Sequence, residues 1–233
     1  MKIIALIPAR GGSKGIPRKN IIQFHGKPLI TYTIDIALKS LVFDRIIVTI
    51  DDDEIAEVAR SAGAEVPFAR PSYLAQDDVK DFPVFEHALQ WLQQFEKYKA
   101  DIVFNLRPTS PLRTTEDIKL VLDKIVSTRC DSVRTSCPVE HHPYRMFRIS
   151  ENDITPLLPL EAPIASYRRQ ELPPVYRWNG LVDAIQTKII LNEQLMYGHD
   201  VRTVVTPRLR SIEIDEPLDL LVAEKSFVLE KQA

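Results

Sequence analysis

The residue types that point most directly to chemistry lie near the start of the sequence, in residues 8–20 (PARGGSKGIPRKN). This segment, called the basic loop below, contains three of the seven glycines and no acidic residue, and its cations are Arg10, Lys14, Arg18 and Lys19. Glycines let backbone N–H groups approach an anion, and the cations neutralise its charge. The spacing matches neither GxGxxG nor GxxxxGKS/T. We therefore interpret the basic loop as a site for a triphosphate, with a solvated turn as the alternative.

A second group of candidate side chains is acidic and lies in residues 211–219 (SIEIDEPLD). The alternation of apolar and acidic residues predicts a strand over 211–214, in which Glu213 and Asp215 point to the same face. Two adjacent carboxylates can bind Mg²⁺, which prefers one or two carboxylates together with phosphate oxygens and water. The alternative is that Asp215 or Glu216 caps a helix beginning at Pro217.

Arginines and hydroxyls supply two further candidate groups. Residues 106–113 (LRPTSPLR) follow a predicted strand, and Arg107 with the nearby hydroxyls suits a sugar acid or a phosphate. The alternative is a proline-ordered turn, with Thr114 or Thr115 capping the next helix. Five arginines lie within residues 145–177, and we expect one or two of them to bind a substrate carboxylate and the others to form ion pairs. They are Arg145, Arg148, Arg168, Arg169 and Arg177.

Two other clusters of polar side chains are interpreted as structural. His141 and His142 are adjacent but have no third ligand at a suitable spacing, which favours packing or hydrogen bonding over metal binding. Residues 51–53 are three aspartates that follow a predicted strand, where a helix N-cap belongs, so we favour capping there as well.

These groups need a scaffold that brings the two ends of the chain together. Strand-like apolar runs alternate with helical segments, which predicts an α/β fold with a mostly parallel, doubly wound sheet. The predicted strands are 2–7, 45–50, 101–106, 132–136, 178–185, 202–205 and 211–214. The predicted helices are 29–40, 53–62, 82–95, 115–127 and 217–230. Ligands bind at the carboxyl ends of such strands, where the basic loop and residues 106–113 both lie.

The alternating pattern stops between residues 138 and 174, which hold seven of the seventeen prolines. Proline interrupts both helices and sheets, so this stretch should be extended or irregular. A structureless loop of this length is unusual inside a compact domain. We therefore expect one domain over residues 1–233, from which residues 138–176 protrude as an arm that packs on a second copy of the chain.

Composition limits the possible partners and location. A chain of 233 residues with 45% hydrophobic residues can fill one core, and a net charge of −2 gives no general attraction to nucleic acid or anionic membranes. The apolar run 3–7 is too short for a signal peptide or a membrane span. Cys130 and Cys137 lack the spacing of a zinc site or a disulfide framework. We expect a cytoplasmic protein that binds neither nucleic acid nor membrane.

Together these motifs resemble the acylneuraminate cytidylyltransferase family, the CMP-sialic acid synthetases, over residues 1–228. The resemblance rests on PARGGSKGIPRKN, RPTSPLR, CPVEHHPYR with RRQELPPVYRWNG, and IEIDEPLDL, in this order. It implies a nucleotidyltransferase fold and a homodimer with crossed arms. It also implies a reaction in which a nine-carbon 2-keto sugar acid attacks the α-phosphorus of CTP, with Mg²⁺ as cofactor, and pyrophosphate leaves.

The resemblance also implies roles for individual residues. Arg10, Lys19 and Asp215 are the catalytic candidates, and Asp215 with Glu213 would hold the metal. The nucleotide-binding candidates are Arg10, Ser13, Lys14, Lys19, Asn20 and Arg70. The sugar-binding candidates are Arg107, Arg145, Arg169 and Arg177.

Three positions depart from the family pattern. Glu213 replaces the usual first aspartate of the metal site, Arg107 replaces a common glutamine near the acylamino group, and Lys80 with Asp81 replace small hydroxyl residues near the base. These changes leave other substrates open, namely legionaminic, pseudaminic or deaminated nonulosonic acids, or GTP. A nucleotide-sugar-binding protein without turnover is a further alternative, against which the retained Asp215 argues.

Overall fold

The computed structural model describes residues 1–151, 153–159 and 168–230, without the side chain of Arg169. The strands in these ranges are β1 (Ile3–Pro8), β2 (Gln23–Phe24), β3 (Lys27–Pro28), β4 (Arg45–Thr49), β5 (Ile102–Asn105), β6 (Ser132–Pro138), β7 (Phe147–Ser150), β8 (Asp153–Pro156), β9 (Tyr176–Gln186) and β10 (Val201–Val205). The α-helices are α1 (Leu29–Ser40), α2 (Asp53–Ser61), α3 (Asp81–Phe95), α4 (Thr115–Thr128), α5 (Thr187–Leu191) and α6 (Pro217–Glu230).

Six strands form the central sheet, in the order β10-β6-β9-β5-β1-β4. β1 is parallel to both β4 and β5, and β10 is parallel to β6. β9 runs antiparallel to its two neighbours, β5 and β6. The predicted mostly parallel α/β sheet is therefore confirmed, and β9 is its one antiparallel member.

Strand β1, which lies between β5 and the edge strand β4, shows why the sheet is covered on both faces. Ile3, Ala5 and Ile7 are buried in a layer with α1, α2 and α4, whereas Ile4 and Leu6 are buried in a layer with α3 and α5. Side chains of a strand alternate between its two faces, so an uninterrupted apolar run is what a strand buried on both faces needs. The doubly wound arrangement predicted from that run is confirmed.

Two helix caps fix the loops at the edge of the sheet where the site lies. The Asp52 carboxylate caps α2 by accepting a hydrogen bond of 3.0 Å from the backbone N–H of Ile55. Thr114 caps α4: its hydroxyl accepts from the Asp117 N–H, and the Asp117 carboxylate accepts from the Thr114 N–H at 2.9 Å. Capping was the favoured interpretation of residues 51–53, and a cap at Thr114 or Thr115 was the alternative given for residues 106–113.

The largest difference from prediction is residues 211–214, which do not form a strand. Ile214 is buried beside Phe24 and Ala223 in a satellite cluster, and its N–H donates to the carbonyl of Thr109 at 2.8 Å. The alternation of apolar and acidic residues over 211–214 therefore arises because Ile212 and Ile214 pack on this cluster. It does not arise from pairing with another strand. The elements that were not predicted include the short helix α5, the two-residue strands β2 and β3, and the hairpin of β7 and β8 within the proline-rich arm.

Among the helices of the described ranges, none combines the length and the apolar character that crossing a bilayer requires.

Candidate active site

A cleft of about 360 Å³ opens beyond the carboxyl ends of β1 and β5. Four separate parts of the chain line it: the basic loop, residues 70–84, residues 107–109 and residues 213–215. The predicted site residues found in its lining are Arg10, Ser13, Lys19, Asn20, Arg70, Arg107, Glu213 and Asp215. Cations from the first part of the chain thus line the same cleft as carboxylates from the last part, and the basic loop meets residues 107–109 at this edge of the sheet, as predicted.

Contacts on one side hold the basic loop in place. The Arg18 guanidinium donates to both carboxylate oxygens of Asp52, at 2.8 and 2.9 Å, and to Glu54 at 2.5 Å. The buried Asn20 side chain donates to the backbone carbonyl of Arg10 at 2.9 Å. Arg18 therefore anchors the loop to the N-terminus of α2, while Arg10 and Lys19 line the cleft.

On its other side the basic loop meets the segment that carries Asp215. A Cβ atom at Gly15 would lie 2.2 Å from the backbone carbonyl oxygen of Asp215, so only glycine permits this approach. Lys19 Nζ donates to Asp215 Oδ1 at 2.7 Å, with the Lys19 side chain only 14% exposed. The loop therefore closes directly against the acidic segment.

Glu213 and Asp215 act on one another electrostatically. Burial raises the pKa of Glu213, the cation Arg107 opposes this, and the negative charge of Asp215 raises that pKa further. Glu213 Oε1 also accepts a hydrogen bond of 3.3 Å from the Thr109 hydroxyl. Although residues 211–214 form no strand, both carboxylates line the same cleft, which is what binding one cation between them requires.

Arg107 lies between two carboxylates at the inner wall of the cleft. It donates to Asp81 at 2.6 Å and to the fully buried Asp183 at 3.1 Å. Burial alone lowers the pKa of Arg107, but the charges of Asp183 and Asp81 outweigh burial and raise it above its ordinary value. Arg134 also donates to Asp183, at 3.2 Å. The charge of Arg107 is thus balanced inside the protein.

Arg70 forms a buried part of the cleft wall. Its guanidinium donates to the hydroxyl of Thr49 at 3.1 Å and to the Thr49 backbone carbonyl at 2.5 Å. Burial lowers its pKa to about 10, an effect that the negative charge of Asp51 opposes. Arg70 therefore remains a cation at neutral pH and contributes positive charge to the cleft.

Two of the predicted sugar-binding arginines, Arg145 and Arg177, are not part of the lining of this cleft. Arg145 lines a separate cavity of about 670 Å³ at the base of the arm. Arg177 donates to both carboxylate oxygens of Glu140, at 3.1 and 3.2 Å, and to the carbonyl of Ser211. The side chain of Arg169 lies outside the described residues. Arg177 lines a neighbouring cavity together with Glu213 and Asp215, whereas the cavity that Arg145 lines shares no residue with the cleft.

Three acidic residues of the site were not among the sequence candidates. Asp77 bonds both Arg10, at 2.7 Å, and Lys14, at 2.5 Å, and thereby brings Lys14 to the edge of the cleft. Asp81 and Asp183 are the partners of Arg107. Asp183 could have been noticed as a charge inside an apolar strand, which requires a buried partner. Asp77 lies beside Asp78 in a loop, and nothing in its spacing marks it. Asp81, the first residue of α3, was noted only as a departure from the family pattern.

The close approach at Gly15 gives a first prediction. Gly15→Ala should destabilise the fold by about 1–3 kcal/mol, the usual cost of overpacking, because its methyl group must displace the Asp215 backbone. Gly12→Ala is the matched control, since a Cβ there meets nothing within 4 Å. Thermal melting of both variants measures the difference, and equal melting temperatures would contradict the contact.

The raised pKa of Glu213 gives a second prediction, for protein in chelator. The folded chain holds this proton more tightly than the unfolded chain, so ionisation of Glu213 lowers stability above the ordinary glutamate pKa of about 4.3. Glu213→Gln should therefore melt at a higher temperature than the wild type at pH 7, and the difference should disappear below about pH 4. The exposed Glu193→Gln is the control. A lower melting temperature for Glu213→Gln at pH 7 would show that the carboxylate stabilises the fold.

Comparison with known proteins agrees with this geometry. Residues 4–194 match the cytidylyltransferase family. The pseudaminic acid cytidylyltransferase of Campylobacter jejuni subsp. jejuni serotype O:2 is 34% identical over 224 residues, covering 96% of this chain and 95% of that protein. The CMP-N,N'-diacetyllegionaminic acid synthase of Legionella pneumophila subsp. pneumophila is 34% identical over 236 residues, covering 100% of this chain and 99% of that protein.

A solved structure supports the fold independently. CMP:2-keto-3-deoxy-manno-octonic acid synthetase complexed with CTP superimposes with a TM-score of 0.70 at 18% identity, covering 99% of this chain and 100% of that chain. The nucleotidyltransferase fold predicted from the motifs is thereby confirmed. This chain belongs to the cytidylyltransferase family, in agreement with the motifs it shares with the acylneuraminate enzymes.

Proposed function

We propose that this chain activates a nonulosonic acid, a nine-carbon 2-keto sugar acid, with CTP. The anomeric hydroxyl oxygen forms a bond to the α-phosphorus, and the bond from that phosphorus to the bridging oxygen breaks. Pyrophosphate leaves with the electron pair, and the hydroxyl proton passes to solvent. The observation that carries this proposal is the cleft in which Arg10 and Lys19 of the basic loop face Glu213 and Asp215.

The cations of the cleft suit the charge that develops on the phosphates. Arg10, Lys14 and Lys19 come from one loop fixed on both sides, so they are oriented before the substrate arrives. Such preorganised charges are usually the largest contribution to catalysis of this kind. Ser13 and Asn20 lie beside them, Asn20 holding the Arg10 backbone, and Arg70 adds a buried cation to the same wall.

Glu213 and Asp215 suit a divalent metal. Burial raises the pKa of Glu213 and the negative charge of Asp215 adds to that rise, so a cation between the two carboxylates would stabilise their charged forms. The described residues contain no cluster of three His, Cys, Asp or Glu side chains that could hold a metal alone. Phosphate oxygens and water would have to complete the ligand set, which is the preference of Mg²⁺. Bound there, Mg²⁺ would polarise the α-phosphate.

The sugar is proposed to be a nonulosonic acid because the relatives are named for pseudaminic and diacetyllegionaminic acids. Arg107, already neutralised by Asp81 and Asp183, would act as a hydrogen-bond donor at the cleft wall. The sugar carboxylate would be bound by Arg145 and Arg169 of the arm and by Arg177, which directly follows the arm.

Because Arg145 lies in a cavity that shares no residue with the cleft, we propose a homodimer in which each arm serves the site of the other subunit. The single domain, residues 1–233, would extend the arm, residues 138–176, across the interface. The arm hairpin has exposed apolar side chains that suit burial against a partner. They are Phe147, Ile149, Ile154 and Leu157. The free, buried cysteines Cys130 and Cys137 fit a reducing cytoplasm.

Activity with different substrate pairs tests the proposed reaction. Pyrophosphate release should be observed with CTP plus pseudaminic, legionaminic or N-acetylneuraminic acid and magnesium, and should cease in excess chelator. Lys19→Ala should lower the rate by about 100-fold or more, since it removes a charge aimed at the phosphates. Lys39→Ala, on the exposed end of α1, is the control. Release with none of the sugar acids, or an unimpaired Lys19→Ala, would contradict the proposal.

Subunit mixing tests the crossed arms. Arg169→Ala and Arg10→Ala should each be inactive alone, but their mixed dimer has one site without either change. We expect activity to return on subunit exchange, to at most about half of the wild-type rate per mixed dimer, since one of its two sites is intact. If exchange is verified by mass spectrometry and no activity returns, the arm serves its own subunit.

A further inference from the structure

A single carboxylate bonds two of the cations that face the phosphate site. Asp77 Oδ1 lies 2.7 Å from an Nη atom of Arg10, and Asp77 Oδ2 lies 2.5 Å from Lys14 Nζ. Asp77 belongs to the loop between residues 74 and 81, which enters α3, and it lines the cleft beside Gln76 and Lys80. Both oxygens of one carboxylate are therefore directed at the basic loop.

Asp77 remains ionised and accessible. The hydrogen bond from Lys14 lowers its pKa below the ordinary value, and the charge of Arg10 acts in the same direction. The side chains of Asp77, Arg10 and Lys14 are 37%, 34% and 81% exposed. Pairs so open to water hold together weakly, so another anion can replace the carboxylate without disturbing the core.

We propose that Asp77 is an internal counter-anion of the phosphate site: it neutralises Arg10 and Lys14 while the nucleotide is absent, and phosphate oxygens take its place on binding. This inference rests on the proposed function, in that the basic loop binds the phosphates of CTP. Two anions cannot share these cations without repulsion, so the carboxylate must yield. Asp77 thereby sets how tightly the loop holds a polyphosphate.

The same exchange has a consequence for the product. Pyrophosphate carries the phosphate groups that would replace Asp77, and it must leave before another turnover. When pyrophosphate dissociates, the Asp77 carboxylate bonds Arg10 and Lys14 again and neutralises their positive charges. Asp77 should therefore weaken the binding of both CTP and pyrophosphate, and removing its charge should tighten both.

Calorimetric titration of the full chain in saturating magnesium tests this role, with CTP and inorganic pyrophosphate as separate probes and no sugar present. Asp77→Asn should bind each probe about fivefold more tightly than the wild type, the factor that corresponds to an exposed ion pair. Asp78→Asn is the matched control, with the same charge change at the neighbouring exposed position, and it should stay within about twofold of the wild type. Damage to the fold would weaken binding of the probes, so tighter binding by Asp77→Asn cannot result from such damage.

Steady-state kinetics supply a second readout. If the exchange occurs, the inhibition constant of pyrophosphate should fall in Asp77→Asn by the same factor as its dissociation constant. Unchanged or weaker binding in Asp77→Asn overturns the inference, as does equal tightening in Asp78→Asn, which would indicate a general charge effect. If the wild type binds pyrophosphate but not CTP, and Asp77→Asn binds pyrophosphate more tightly, the proposed nucleotide is wrong while the counter-anion role stands.

Discussion

The contact between the basic loop and the segment around Asp215 is the constraint on which the site depends. It joins residues 196 positions apart in the chain, through the Lys19 to Asp215 ion pair and the close approach of Gly15 to the Asp215 carbonyl. On its other side the loop is fixed by Arg18 on Asp52, the cap of α2. Because both sides of the loop are held, Arg10 and Lys19 have defined positions in the cleft at the carboxyl end of the sheet.

Charge balance explains much of the remaining architecture. Buried charges are costly unless they are paired, and the inner wall pairs them in a chain from Asp81 through Arg107 and Asp183 to Arg134. Nearer to solvent, Asp77 balances Arg10 and Lys14, and Asp215 balances Lys19. At the centre of this chain of pairs Asp183 is fully buried, which makes its pairs with Arg107 and Arg134 structural. The outer pairs are open to water, and a substrate can therefore exchange with them.

Local sequence patterns predicted most of the fold. The apolar run of β1, the helix α1 over Leu29–Ser40 and the caps at Asp52 and Thr114 each follow from periodicity or capping chemistry and were confirmed. The strand expected over 211–214 was wrong, because its alternation arises from packing against Phe24 and Ala223. The hairpin of β7 and β8 escaped detection because its residues are exposed on both faces and show no alternation in burial.

The candidate site was only partly predictable for a related reason. The composition of the basic loop indicated an anion site, and Glu213 with Asp215 indicated a cation site, without any knowledge of their contact. The pairing of each cation could not be predicted, since Arg18 and Arg10 look alike in sequence but bond α2 and Asp77 respectively. Such pairings depend on loops that the tertiary fold brings together from distant positions.

The most direct test of a single site shared by loop and acidic segment is a crystal structure with CTP and Mn²⁺, whose anomalous scattering locates the metal. We predict one Mn²⁺ ion, bound by Asp215, Glu213 and phosphate oxygens. Lys19 and Arg10 should contact the triphosphate. A metal bound elsewhere, or a triphosphate that lies away from the basic loop, would contradict it.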